Sequence, residues 1–289
     1  MTSTPTATVE PNGREPKRTE ARTETGRRLR WWRELAYIVG LYLVYSWVRN
    51  RFGSSGTGAA RIALDHAKDI IGAQDAVGLW FEPELQRWYL GLPARGLIRV
   101  WNIYYGTAHF VVTAGALIWL YRRQPDRYSL WRTTLAAMTL AALIGFATYS
   151  LMPPRLLDST STYGACFGQE PGCEGYRIVD TLAVDGGWLS FDDEKAAAVS
   201  NQYAAMPSMH TGWSTWSAAV LWGLVRRRWV RALVVAYPCA TVFCILITGN
   251  HYWLDALGGL VAFAVGFGIA RAVTTWNESR LQRRQSAAA

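Results

Sequence analysis

The sequence lacks a charged, foldable region outside its apolar runs. That matters because the chain is basic: Lys plus Arg number 30, Asp plus Glu 21, and the formal net charge is +9. A nucleic-acid binder carries its surplus on a folded basic face. Here no such domain is left once the apolar segments are set aside, so no nucleic-acid partner is expected. The first residues also lack large apolar side chains, and residues 1–28 are instead rich in Thr, Pro, Glu and Arg. They cannot bury enough apolar area to fold and read as a disordered cytoplasmic tail.

Apolar runs are what the chain does have. Hydrophobic residues make up 51% of it, with 15 Trp and 14 Tyr, and a mean hydropathy of +0.03 averages these runs with the polar segments. The runs cover 35–48, 97–121, 130–152, 206–225, 232–248 and 254–273. Arginines gather at their ends, as at Arg28 and Arg30, Arg122 and Arg123, Arg226 to Arg228, and Arg283 and Arg284. Such clusters mark cytoplasmic connectors. The expectation is an all-α, polytopic membrane protein: a six-transmembrane-helix bundle over 29–277, with a cytoplasmic tail over 278–289. Both termini would be cytoplasmic, in the plasma membrane. Arg49 and Arg51 follow the first run directly, where a cleavage region is usually uncharged, so a retained anchor is read in preference to a signal peptide.

Residues 59–79 interleave Ile62, Ile70, Ile71 and Val77 with Arg61, Asp65, Lys68, Asp69 and Asp75. This suits an interfacial amphipathic helix, with His66 on its solvated face. Residues 156–204 form one long loop. From Asp158 to Lys195 it carries eight acidic groups against two basic ones, the opposite bias to the other connectors. It is expected to be extracytoplasmic, where Cys166 and Cys173 would pair as a disulfide. Cys239 and Cys244 lie in an apolar run and read as packing residues.

This topology sends three polar groups to one side of the membrane. Arg155 follows the third run, Ser208 and His210 open the fourth, and Asn250 and His251 lie at the turn between the fifth and sixth. His251 and Asp255 are four apart and share one helix face. A carboxylate there holds one ring nitrogen and leaves the other basic. An oriented imidazole can attack phosphorus, a second one can protonate the leaving alkoxide, and a guanidinium fork suits the phosphate. His109 lies deep in the second run, either as polar glue between helices or as a substrate ligand. A snorkelling anchor is the lesser reading of Arg155. His210, His251 and Asp255 could also hold zinc, although a neighbouring guanidinium favours an anion.

Pro207-Ser208-Met209-His210 and His251-Tyr252-Trp253-Leu254-Asp255 resemble the second and third motifs of the type 2 phosphatidic acid phosphatase superfamily. Pro154-Arg155-Leu156-Leu157 resembles its first motif, in the form of the inositol phosphorylceramide synthase-like branch, and Ala205-Met206-Pro207-Ser208-Met209-His210 with Asn250-His251-Tyr252 resembles that branch's actinobacterial type. The resemblance spans about residues 30–275. It implies His251 as nucleophile, Asp255 as its orienter and His210 as acid, with Arg155, Ser208, Asn250 and His109 around the substrate, and neither cofactor nor metal. The phosphatase pattern has a Lys where this chain has Thr148, and Ser-Arg where it has Cys244 and Ile245, so two of its phosphate-binding cations are absent. That departure favours transfer of a phosphorylated head group, of inositol phosphate type, from a lipid phosphoester to a hydroxyl acceptor. Hydrolysis of a phospholipid or polyprenyl phosphate by water is the alternative. A proton-coupled transporter is the rival of another class. It would need ionisable groups along a path across the bilayer, where only His109 lies deep, and no inverted repeat is visible.

Overall fold

A computed structural model of the chain describes residues 30–52, 58–158, 161, 164–165, 176–185 and 202–287. The tail expected over 1–28 and the expected Cys166–Cys173 disulfide lie outside the described residues. Regular structure among the described residues is helical. The elements are α1 (Trp31–Phe52), α2 (Ala59–Ala76), α3 (Glu82–Leu90), α4 (Ile98–Arg123), α5 (Pro125–Thr148), α6 (Thr181–Asp185), α7 (Met209–Trp222), α8 (Arg228–Ile247) and α9 (Trp253–Ser286). Short 3-10 turns precede α4 at Pro93–Leu97 and follow α5 at Pro154–Leu157.

Among the described residues, four helices are long and apolar enough to cross a membrane: α4 with its leading turn, α5, α8 and α9. Their ends follow local chemistry. Only Gln124 separates α4 from α5, because Pro125 is ready-made for a helix's first position. α5 stops at Thr148, short of the apolar run's end at 152 and ahead of the Pro153-Pro154 pair. α7 begins at Met209 because Ser208 is its N-cap, with Oγ accepting from Thr211 N. α9 has 34 residues and reaches about 51 Å, well beyond a hydrocarbon core of about 30 Å. The tail expected from 278 is therefore helical as far as Ser286.

α5 and α9 form the central pair. Lipid tails are as apolar as leucine, so helices within a bilayer associate through close backbone approach. Ala256, Gly259, Ala262, Gly266 and Ala270 supply it on the buried face of α9. A side chain at Gly266 would meet Met138 and Thr134 of α5 within 2.8 Å. Leu120, Met138 and Trp216 are fully buried at the centre of the bundle. α1 leans on α5, where Arg132 Nη1 donates to both carboxylate oxygens of Glu34 at 2.7 Å.

The second core lies at one end of the bundle. Ala63, Leu64, Ala67 and Ile71 of α2 pack on Leu151, Met152, Leu156, Leu157 and Tyr252. Two of the residues expected to form an apolar face, Ile62 and Val77, are instead exposed. Burying a side chain such as Leu64 contributes about 1.5–3 kcal/mol. α2 thereby clamps the 151–157 segment that carries Arg155.

Candidate functional site

The three polar groups, far apart in sequence, are stitched together by main-chain hydrogen bonds. Arg155 N–H donates to Gly249 O at 2.7 Å, and Ser208 N–H donates to Asp255 O at 2.9 Å. Leu151 N–H donates to Tyr203 O at 2.7 Å, within a parallel bridge between Leu151 and Ala204. Two close approaches require glycine. Gly249 turns the chain with φ of 69°. At Gly259 a Cβ would run into Ser208 O. The start of α7 can therefore rest against α9 only if that position stays bare.

Asp255 organises the third group. Its Oδ2 accepts Tyr252 N–H at 2.9 Å, satisfying an orphan donor at the start of α9. The same oxygen lies 3.2 Å from His251 Nδ1. The contact fixes that ring and directs Nε2 elsewhere. His251 Nε2 is buried and has no hydrogen-bond partner among the described residues.

Around His251 the aromatic rings form a chain. The His210 ring lies 5.5 Å from that of His251, at 62°. Tyr105 stacks on His210 at 4.1 Å and 20°. The His109 ring lies 4.3 Å from that of His210. Tyr104, Tyr105, His109, His210, Thr241, Cys244 and Ile245 line a narrow crevice beside these rings.

Arg155 is buried rather than splayed at a surface, with 6% of its area exposed. Its Nη1 donates to Asp180 Oδ2 at 2.9 Å and its Nη2 to Gln202 Oε1 at 2.5 Å. Its Nε is buried without a partner among the described residues. Asn250 donates its side-chain amide to Thr248 Oγ1 at 2.8 Å, within its own turn. The fold therefore brings His251, Asp255, His210 and His109 together by direct contact. Arg155, Ser208 and Asn250 join them through the backbone around the Gly249 turn and the start of α7. Among the described residues no three His, Cys, Asp or Glu side chains are grouped to hold a metal ion.

Sequence reasoning missed Asp180 and Gln202 as partners of Arg155, and Tyr105 as the ring against His210. Only Tyr105 had a signal, one helical turn before His109. Asp180 is one acid among many in a loop with no periodic pattern.

A family model described as PAP2 superfamily matches residues 68–269, more than half of the chain. No curated protein and no solved structure gives a significant match.

Proposed function

The chain belongs to the PAP2 superfamily, the type 2 phosphatidic acid phosphatases, and on that premise we propose that it is a membrane-embedded lipid phosphotransferase working through a phosphohistidine. The observation that carries this reading is His251, held at Nδ1 by Asp255 with Nε2 left unpartnered. Nε2 attacks phosphorus and the bond from phosphorus to the leaving oxygen breaks, while His210 gives that oxygen a proton. In the second half the acceptor hydroxyl attacks phosphorus, the N–P bond breaks and His210 takes the proton back. Arg155 and Ser208 bind the phosphate, with His109 and Asn250 completing the surroundings.

Transfer of a phosphorylated head group of inositol phosphate type is favoured over hydrolysis by what stands beside the site. Cys244 and Ile245, where the phosphatase pattern carries polar and cationic residues, are fully buried. Ile245 instead offers its carbonyl to His251 N–H. Hydrolysis of a phospholipid or polyprenyl phosphate uses the same phosphoenzyme, with water as acceptor. In this reading α1 and α7 join the four apolar helices as spans. Both termini lie in the cytoplasm of a cell-membrane protein, and the site faces the other side.

The test is to trap phosphorus on His251 during turnover of candidate lipid phosphoesters, located by mass spectrometry. Label on His251, lost in His251→Ala together with turnover, is expected. Undiminished turnover by His251→Ala removes the mechanism.

A further inference from the structure

We propose that Asp180 is a specificity-determining residue that restricts this site to monoanionic phosphodiesters by keeping its carboxylate on Arg155. The proposal rests on the reading in which Arg155 binds the substrate phosphate.

The contact is built, not incidental. The Arg155 and Asp180 side chains are 8% and 10% exposed. Asp180 Oδ1 accepts the N–H groups of Leu182 and Ala183 at 3.2 and 3.3 Å, starting α6. Both sequence neighbours are pinned. Gln86 of α3 clamps Val179, accepting its N–H at 2.7 Å and donating to its carbonyl at 3.0 Å. Thr181 Oγ1 lies 3.1 Å from both Asn102 Oδ1 and Thr248 O. Asn102 Nδ2 donates to Thr181 O at 2.8 Å. A carboxylate held from both sides does not swing away when an anion arrives, because all these bonds would have to break together. Asp180 therefore stays on Arg155 through binding, and its charge stays with it.

Charge then decides the substrate. Arg155 and Asp180 cancel, and Thr148, Cys244 and Ile245 add no cation. The guanidinium still has donors to spare, Nε among them, so it can hydrogen-bond a phosphate without offering a net positive charge. A phosphomonoester is largely a dianion at neutral pH, its second pKa being about 6. A phosphodiester carries a single charge. Repulsion from a fixed carboxylate penalises the dianion more heavily, which is discrimination by an unfavourable contact.

The test measures binding of inorganic phosphate and of dibutyl phosphate to the full-length protein in detergent, at about pH 6 and about pH 8. The wild type is expected to bind dibutyl phosphate alike at both, and to lose roughly tenfold or more in phosphate affinity at the higher pH. Asp180→Asn removes the charge and keeps one acceptor oxygen, for Arg155 or for the α6 amides but not both, and is expected to regain roughly tenfold or more in phosphate affinity at about pH 8. Its dibutyl phosphate affinity should move by less than about threefold, and Asp180→Glu should restore the discrimination. Equal shifts for both ligands in Asp180→Asn overturn the proposal. So does a wild type that binds phosphate at the higher pH as tightly as the diester, an arm that needs no folded variant. Arg155→Gln separates the two levels. Loss of both ligands supports the site reading, whereas unchanged binding sinks that reading and the proposal with it.

Discussion

Glu82 Oε1 accepts the backbone N–H of Trp253 at 2.9 Å. A carboxylate from the short helix α3 thus caps the first residue of α9, two positions after His251. Trp253 is tied a second time, its indole Nε1–H donating to Leu79 O at 2.9 Å. Glu82 also accepts from Gln74 Nε2 at 2.5 Å and from Phe81 N–H at 3.2 Å. Helix N-termini favour anions. The α2–α3 unit therefore fixes the direction in which α9, and the His251–Asp255 pair with it, leaves the turn.

Truncation at this position should be felt in stability. Glu82→Ala leaves buried donors unsatisfied, at about 1–3 kcal/mol each, and is expected to lower the Tm in detergent. A variant with unchanged Tm would show that water replaces the carboxylate.

Glu82 also has a pH signature. Burial pushes its carboxyl above the ordinary value of 4.5, and its hydrogen bonds offset this only in part. The unfolded chain therefore releases this proton first as pH rises. Stability tied to it is complete below 4.5 and is lost as pH climbs through the folded-state value. Glu82→Gln keeps an acceptor for Trp253 without the charge. Its stability relative to wild type should be most favourable at neutral pH and should shrink on acidification. A difference independent of pH refutes the linkage.

The third motif could be read from sequence because its geometry is local: four residues along a helix put His251 and Asp255 on one face. The partners that tune the site act over longer separations. Asp180 is 25 positions from Arg155, Gln202 is 47, and Glu82 is 171 from Trp253. No periodicity links residues so far apart, so only the fold reveals them. Helix ends were missed for another reason. Hydropathy marks where apolar side chains stop, whereas Ser208 and Pro125 mark where the backbone turns helical. α9 continues past its apolar part because the residues after 273 contain neither Gly nor Pro.

Asp255→Asn separates charge from capping. Tyr252 N–H and His251 Nδ1 share one oxygen, so an amide oxygen in its place can still accept from both and the fold should persist. What is lost is the negative charge that stabilises the imidazole as it becomes cationic. A loss of up to about 10⁴ in kcat is expected, the cost of the same change in a catalytic triad, with a small change in Tm. Activity within about threefold of wild type would leave Asp255 a helix cap and nothing more.

Close packing makes a sharper contrast. Gly259→Ala forces a methyl group against Ser208 O, and overpacking of this kind costs about 1–3 kcal/mol. It should also part the second motif from the third and lower kcat. Gly268, on the same helix, has nothing within 4 Å of an added Cβ. Gly268→Ala should be neutral or stabilising by up to about 1 kcal/mol. Equal effects at the two positions would mean that helix propensity, not the contact with α7, governs them.

Tyr105 gives the most specific test of how His210, the proposed acid, is held. Its ring lies flat against His210, centroids 4.1 Å apart and planes within 20°, while His109 meets the same imidazole at 66°. Two rings at such different angles leave His210 little freedom to rotate. The face of the tyrosine ring, not its hydroxyl, makes this contact. Tyr105→Phe is therefore expected to retain kcat within about threefold, whereas Tyr105→Leu should lose about 10- to 100-fold, since misplacing a catalytic group by about 1 Å costs as much. KM should change little in either, because the substrate phosphate is assigned to Arg155 and Ser208. If Phe and Leu are equally harmful, the hydroxyl matters and stacking does not orient His210. If both are harmless, α4 and α7 hold the imidazole by their backbones alone.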